Sequence, residues 1–279
     1  MEPRSRSFYA LSAFFALFLL FLYGPVITIG ILSFQGPQGG LTFPMNGVSF
    51  HWFVDLFEQQ AVGDIWGSFR RSLFLGLMVM AVTVVISVMG GLAFRSRFRG
   101  SSALFYIIVA SLIIPSILVS LGVGLIFNIL DWEVHWSTSG FGAQLTWTLP
   151  FGLLIMFAVF NRFDKSYEEA SRDLGASSWQ TVRYVVLPII APMLIGVALF
   201  GFTLSYDEFA RTLLTSGSYN TLPLEIYGMT TNVTSPVLYA LGTLTTVFSL
   251  LIIGSFLTVF VLLRRRQARQ GSDAGKGMV

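Results

Sequence analysis

Two carboxylates, a phenol and a guanidinium crowd the end of one long apolar stretch, as Tyr206, Asp207, Glu208 and Arg211. A carboxylate within a membrane span costs about 2.5–3.5 kcal/mol on insertion scales, so such residues need a compensating role. One role is recognition of a cation. Asp207 and Glu208 would pair with an ammonium group, and the Tyr206 ring would attract it through its π face. The other role is internal, because Arg211 follows Asp207 by four residues and Glu208 by three, the spacing of favourable ion pairs on a helix. One guanidinium does not neutralise two carboxylates, which would leave negative charge on the face carrying Ser205, Glu208, Thr212 and Thr215. Arg211 could equally meet an anionic group, which would suit an amino acid or another zwitterion.

A second set of polar residues lies upstream, where residues 166–188 read SYEEASRDLGASSWQTVRYVVLP between two apolar stretches. Ser166 is placed to cap a helix from Tyr167, with Glu169 at the third helical position reaching back to complete a capping box. Gly175 should end that helix. Ser177 and Gln180 repeat the box for a second helix running to about Val186, before Pro188 opens the next apolar stretch. On the first helix Tyr167, Ala170, Ser171 and Leu174 share a face, while Glu168, Arg172 and Asp173 point elsewhere. A plain helix-to-helix connection needs roughly 2–8 residues. A longer, doubly capped unit with little apolar surface is better suited to being gripped by another protein.

Other chemistries are poorly served. The chain has no cysteine, its lysines are Lys165 and Lys276, and it contains no GxxxxGK[ST] phosphate loop, so nucleotide hydrolysis is not expected here. Neither HExxH nor GxSxG occurs, and His51 and His135 fall in connections between apolar stretches, which argues against an intramembrane hydrolase. No metal site or nucleic-acid motif is apparent, and the net charge of +3 sits in short arginine clusters beside apolar runs.

The elements that must position these residues are membrane helices. Of 279 residues, 54% are hydrophobic and 11% charged, far from the balance of a soluble domain. Without water to satisfy peptide groups, the long unbroken apolar runs imply helices rather than alternating barrel strands. Stretches at about 10–33, 72–94, 102–128, 141–161, 187–215 and 236–263 reach the roughly 20 residues a span requires. The first is too long for a signal h-region and lacks a convincing cleavage site, so it is expected to be retained. With the N-terminus in the cytoplasm, every Lys and Arg except Arg70, Arg71 and Arg211 lies on that side, as the positive-inside rule requires.

The outer connections are then 34–71, 129–140 and 216–235. In the first, Phe50, Phe53, Val54 and Phe57 suggest a short interfacial helix, and Trp52, Trp66, Trp132 and Trp136 suit an aromatic belt. Pro115 and Pro150 should kink or locally unwind spans three and four. Asn128, Thr146 and Thr245 are expected to make interhelical hydrogen bonds. The Asn232-Val233-Thr234 triplet is too short a pattern to carry weight. These stretches divide the chain into a transmembrane domain over 1–263 and a basic, solvated, partly disordered tail over 264–279.

Glu169, Ala170, Ser171, then Gly175, then Val185, Leu187 and Pro188 resemble the EAA motif of bacterial ABC-importer permeases, with Ser171 for the second Ala and Val185 for Ile. The resemblance spans roughly residues 68–260. With FTLSYDEF at 202–209 and LPLEIYGM at 222–229, it is most similar to the second permease subunit of spermidine/putrescine-type importers. It implies an all-α, MetI-like permease of six transmembrane helices with a cytoplasmic coupling helix. Glu169, Ala170, Ser171, Gly175, Leu187 and Pro188 would seat that helix in a separate ATPase. The implied partners are a second permease subunit, two ATP-binding subunits, a periplasmic solute-binding protein and membrane lipid, with no nucleic acid. ATP and magnesium would belong to the ATPase, leaving this chain with no cofactor and no catalytic site. An ion-coupled secondary transporter is the rival, but the paired broken helices of two related halves are not seen.

Overall fold

A computed structural model of the chain describes residues 5–58, 63–96, 98–232 and 235–269. Arg4, Arg97, Lys276, the last two residues of the Asn232 triplet and the tail beyond Arg269 lie outside these. In chain order the helices are α1 (Arg6–Leu32), α2 (His51–Glu58), α3 (Ile65–Arg95), α4 (Ser101–Ser111), α5 (Ser116–Ile129), α6 (Phe141–Asn161), α7 (Ser166–Asp173), α8 (Ser178–Thr181), α9 (Leu187–Tyr206), α10 (Leu222–Asn232) and α11 (Val237–Arg269). A π-helical turn over Trp136–Gly140 leads into α6, and another over Val182–Val186 joins α8 to α9. Among the described residues no strand forms, only an isolated bridge between Gln35 and Val48.

By length and composition, five helical stretches can cross a membrane: Arg6–Leu32, Ile65–Arg95, Trp136–Asn161, Ser178–Tyr206 and Val237–Arg265. The expected third span is instead a broken pair, α4 and α5, bent by 105°. Pro115 caps α5 and has no N–H to continue the ladder, and its ring biases Ile114 away from helical geometry. Pro150 behaves differently, since α6 runs through it without a break. Counting the bent pair as one crossing gives the six spans expected.

Three expected boundaries change. The fifth span stops at Tyr206 instead of continuing to 215, with Asp207 as its C-cap. At its other end no separate second helix precedes Pro188, because Ser178–Tyr206 is one helical stretch. The π-helical turn over Val182–Val186 shifts hydrogen bonding away from the usual register just where Pro188 cannot donate. Arg264 to Arg269, expected in a solvated tail, extend α11.

Contact clustering divides the chain into Met1–Gly63 with Ile226–Leu251, and Asp64–Glu225 with Ile252–Val279. In the first unit α1 is apolar all round and largely exposed, as befits a helix whose surroundings are not water. The Gln35 side chain organises the following loop, accepting from the Asn46 N–H at 2.7 Å and donating to Gly40 O at 3.2 Å. Phe34 packs on Phe50 and Phe53, and Leu56 is the buried residue of α2.

The core of the second unit is α3, α6 and α9 packed on one another. Ser68, Ser72, Gly76, Thr83, Ser87 and Gly91 form most of the buried face of α3, so large residues of its partners can approach its backbone. A Cβ at Gly91 would lie 2.7 Å from the Phe160 ring, which explains the absence of one. Thr83 and Thr148 share a hydrogen bond of 2.8 Å between α3 and α6. Asn128 and Thr245, expected to bridge helices, instead bond to carbonyls of their own helices, Gly124 O and Gly242 O.

Candidate functional site: a buried guanidinium and an anchored polar knob

The segment from Asp207 to Thr221 is non-helical, and hydroxyls of the surrounding helices hold its backbone in place. Ser120 Oγ accepts from the Leu214 N–H at 3.0 Å, Ser139 Oγ donates to Thr215 O at 2.8 Å, and Ser72 Oγ accepts from the Leu222 N–H at 2.8 Å. Within it, Thr212 Oγ1 donates to Glu208 O and Thr215 Oγ1 to Arg211 O. Backbone groups that a helix would pair internally thus find side-chain partners.

Arg211 anchors this segment and is fully buried, with 0% exposure. Its Nη1 donates to Ser116 Oγ of α5 at 2.7 Å and its Nε to Thr146 Oγ1 of α6 at 3.2 Å. The guanidinium carbon lies 4.6 Å from the centre of the Trp147 ring, a close cation–π contact. Glu208 supplies the countercharge. Its Oε2 is 3.7 Å from Arg211 Nη1, and its Oε1 accepts the Arg211 backbone N–H at 2.9 Å. Thr146, expected to bridge helices, instead joins α6 to the non-helical segment, and its own hydroxyl donates to Ala143 O of α6.

The four candidates are neighbours in space but not equivalents. Tyr206 is buried, with its ring stacked on Phe202 at 5.6 Å, so its face is not offered to a solute. Glu208 is paired and Arg211 is enclosed. Asp207 alone of the four is exposed. The expected Asp207–Arg211 pair does not form, because the helix that would set the four-residue spacing has already ended. For the same reason Ser205, Glu208, Thr212 and Thr215 do not make a helical face. Trp147, Ser116 and Ser120 were not singled out from the sequence, since nothing local signals their partner.

The 166–188 segment is built around Gly175. At φ +86° it is the left-handed residue after α7, with its N–H bonded to Arg172 O at 2.8 Å and the Ala176 N–H to Ser171 O at 3.0 Å, a complete Schellman closure. Ser177 and Gln180 form the expected reciprocal capping box at 3.3 and 2.8 Å. The first box does not form. Ser166 is already helical, Lys165 is the N-cap, and the Ser166 N–H is taken by Asp164 Oδ1 at 2.9 Å, leaving Glu169 free of that duty and exposed.

The expected face of α7 also divides. Tyr167 packs against Phe163 and the cluster of Met156, Phe160, Val186 and Ile190, while Ser171 shares a 2.8 Å hydrogen bond with Thr181. Glu168, expected to point away, turns inward to an ion pair with Arg95 at the end of α3. The outward side carries Glu169, Ala170, Arg172, Asp173 and a 90% exposed Leu174. Trp179 and Tyr184 follow, both largely exposed, while Leu187 packs on the core and Pro188 is exposed. One side of the segment is therefore buried against the spans and the other is displayed.

The family model for the binding-protein-dependent transport system inner membrane component matches residues 83–269. The chain belongs to this family. It is a multi-pass transport permease. The permease is 27% identical over 252 residues to the spermidine/putrescine transport system permease protein PotC of Haemophilus influenzae, covering 88% of this chain and 94% of that one. It is likewise 27% identical over 232 residues to the putrescine transport system permease protein PotI of Escherichia coli, covering 80% and 81%. Among solved structures it resembles a chain of a bacterial ABC transporter involved in import of the acidic polysaccharide alginate, with a TM-score of 0.68 at 19% identity over 93% of this chain and 98% of that one. A chain of the MetNI methionine transporter aligns with a TM-score of 0.58 at 18% identity, over 71% and 95%. These two likenesses establish the fold, a MetI-like helical permease.

Proposed function

We propose that this permease is one of the two membrane subunits of a bacterial ABC importer for a polyamine-type cation such as spermidine or putrescine. Two ATP-binding subunits hold ATP and magnesium on the cytoplasmic side, a second permease completes the path, and a periplasmic solute-binding protein delivers the solute. Both chain termini face the cytoplasm of an inner-membrane protein. The outward side of the 166–188 segment, with Glu169, Ala170 and Gly175, docks on the ATPase. Nucleotide and solute then each bias one of two rigid-body arrangements of the spans.

The observation that carries the solute assignment is the contrast between Asp207 and Arg211. The open group is a carboxylate and the guanidinium is enclosed, which favours a cation over an anionic or zwitterionic solute. The polyamine relatives support the same class. The test is co-purification from the native host, followed by uptake of radiolabelled spermidine and putrescine into proteoliposomes. Uptake that requires ATP and the receptor is expected. Uptake that persists without an ATPase would replace this reading with ion-coupled transport, and uptake of a zwitterion alone would overturn the solute class. Labelling of a cysteine placed at His135 should succeed from the periplasmic side only.

A further inference from the structure

We propose that Arg95 and Glu168 are positioning residues for energy coupling, an ion-paired joint that makes α3 the rod between the docking segment and the non-helical Asp207–Thr221 segment. The inference rests on the reading that α7 seats on an ATPase. Three features of the joint support it. Arg95 is the last residue of α3, where the helix dipole favours a cation. Its guanidinium carbon lies 5.2 Å from the centres of both the Phe160 and Phe163 rings at the end of α6, so two aromatic faces fix the direction of the side chain. Both partners are mostly enclosed, with side-chain exposures of 14% and 16%, where water and salt screen a pair far less than on an open surface.

Glu168 thereby differs from the neighbouring Glu169. Glu169 is exposed on the side turned away from the spans, whereas Glu168 grips them. With Tyr167 on the Phe163 cluster and Ser171 on Thr181, it gives α7 three points of attachment, of which the one to α3 is ionic.

From that joint α3 runs unbroken for 31 residues, a rod of about 45 Å at the α-helical rise. Its far end grips the other element of interest. Ser72 holds the Leu222 N–H, and Arg71 Nε donates to Asn220 O at 2.7 Å while its Nη2 pairs with Asp64 Oδ2 at 2.9 Å. Asp64 caps α3 through the Gly67 N–H, and its own N–H donates to Glu225 Oε1 at 2.9 Å. A displacement of α7 passed to α3 at Arg95 therefore reaches the C-terminal end of the segment that begins at Asp207. Such a chain of contacts is spatial, and only a coupling measurement gives it energetic content.

The test is a double-mutant cycle in the reconstituted complex, reading solute transported per ATP hydrolysed. Glu168→Gln and Arg95→Gln should each lower this ratio about tenfold, within the usual range of coupling between sites, while the ATPase stays bound and active. Two residues acting as one joint predict that the double variant is no worse than the poorer single. Arg95→Lys keeps the charge and is expected to retain more than half of the ratio, which guards against a fold lost through removal of the cation. A wild-type ratio in either Gln variant, multiplying losses in the double variant, or a Lys variant as poor as Gln would each overturn the joint. A wild-type complex that shows no ATP-dependent uptake would refute the importer reading instead, so the two failures are separable.

Discussion

The 166–188 segment and the Asp207–Thr221 segment are both polar, yet they dispose of charge in opposite ways. Around Gly175 the ionisable groups Glu169, Arg172 and Asp173 are displayed, and local devices, a Schellman turn and a capping box, set the backbone. In the 207–221 segment Arg211 is enclosed, and hydroxyls from α3, α5 and the turn before α6 set the backbone. Displayed charge is free for a partner. Enclosed charge is committed to the fold, and what remains available is Asp207 beside it.

That contrast breaks hardest at Arg211. Arg211→Leu removes the cation from a buried pair and leaves Glu208 uncompensated, a change that costs about 3–5 kcal/mol where it has been measured. The detergent-solubilised variant should show a much lower unfolding midpoint or poor insertion. Arg211→Lys, which loses the planar fork to Ser116 and Thr146 but keeps the charge, should fall between it and wild type. An Arg211→Leu variant of native stability that lost only transport would place the guanidinium in the solute path and erase the distinction between the two regions.

Gly175 tests the displayed side. A Cβ there meets nothing within 4 Å, so any penalty comes from the backbone and not from a clash. Valine is an outlier at φ +86°, whereas asparagine tolerates the left-handed region. Gly175→Val should distort the turn at a cost of about 1–2 kcal/mol and abolish most ATP-driven uptake with the protein still inserted, and Gly175→Asn should keep it. Equal uptake in the two variants would mean that the turn's shape does not matter to docking.

How much of this is legible in the sequence follows from the range of the interactions involved. The Ser177–Gln180 box and the Gly175 turn are set by residues within a few positions, and both can be read directly. Hydropathy gives the spans because each must individually satisfy its backbone. The end of the fifth span cannot be read so, since Phe209, Leu213 and Leu214 prolong the apolar run past Tyr206. What holds the non-helical segment beyond it is a set of hydroxyls up to 150 positions away in the chain, Ser72 to Leu222 being the most distant. The inward turn of Glu168 is hidden for the same reason, as its partner lies 73 residues earlier. The solute is less legible still. A similar fold at 19% identity belongs to a transporter involved in import of an acidic polysaccharide, so helix arrangement alone does not set the charge of the solute.

Asp207 therefore sharpens the comparison on the functional side. Asp207→Asn keeps size and removes the open charge, and about a tenfold weaker apparent affinity for a dication is expected, near 1.4 kcal/mol. Thermal stability and ATPase association should not change. Glu208→Gln should do the reverse, lowering stability because Arg211 loses its countercharge. If Glu208→Gln weakened solute affinity at unchanged stability while Asp207→Asn did nothing, the assignments of the two carboxylates would have to be exchanged.

The smallest effect is expected at Ser177. Its Oγ accepts the Gln180 N–H, and Gln180 Oε1 returns the favour to the Ser177 N–H, so Ser177→Ala leaves both ends of the box weakened at a cost of about 1 kcal/mol. The site is solvent-exposed, so water can replace the lost acceptor and insertion should be unaffected. What the box secures is the direction in which the chain leaves Gly175 and enters the helix continuing to Tyr206. A modest fall in uptake with normal stability is therefore predicted, and Ser177→Asp, which preserves an N-cap acceptor, should restore it. Failure of Asp to rescue would show that the hydroxyl serves the partner surface directly, making Ser177 part of what is displayed and not part of what holds the display in place.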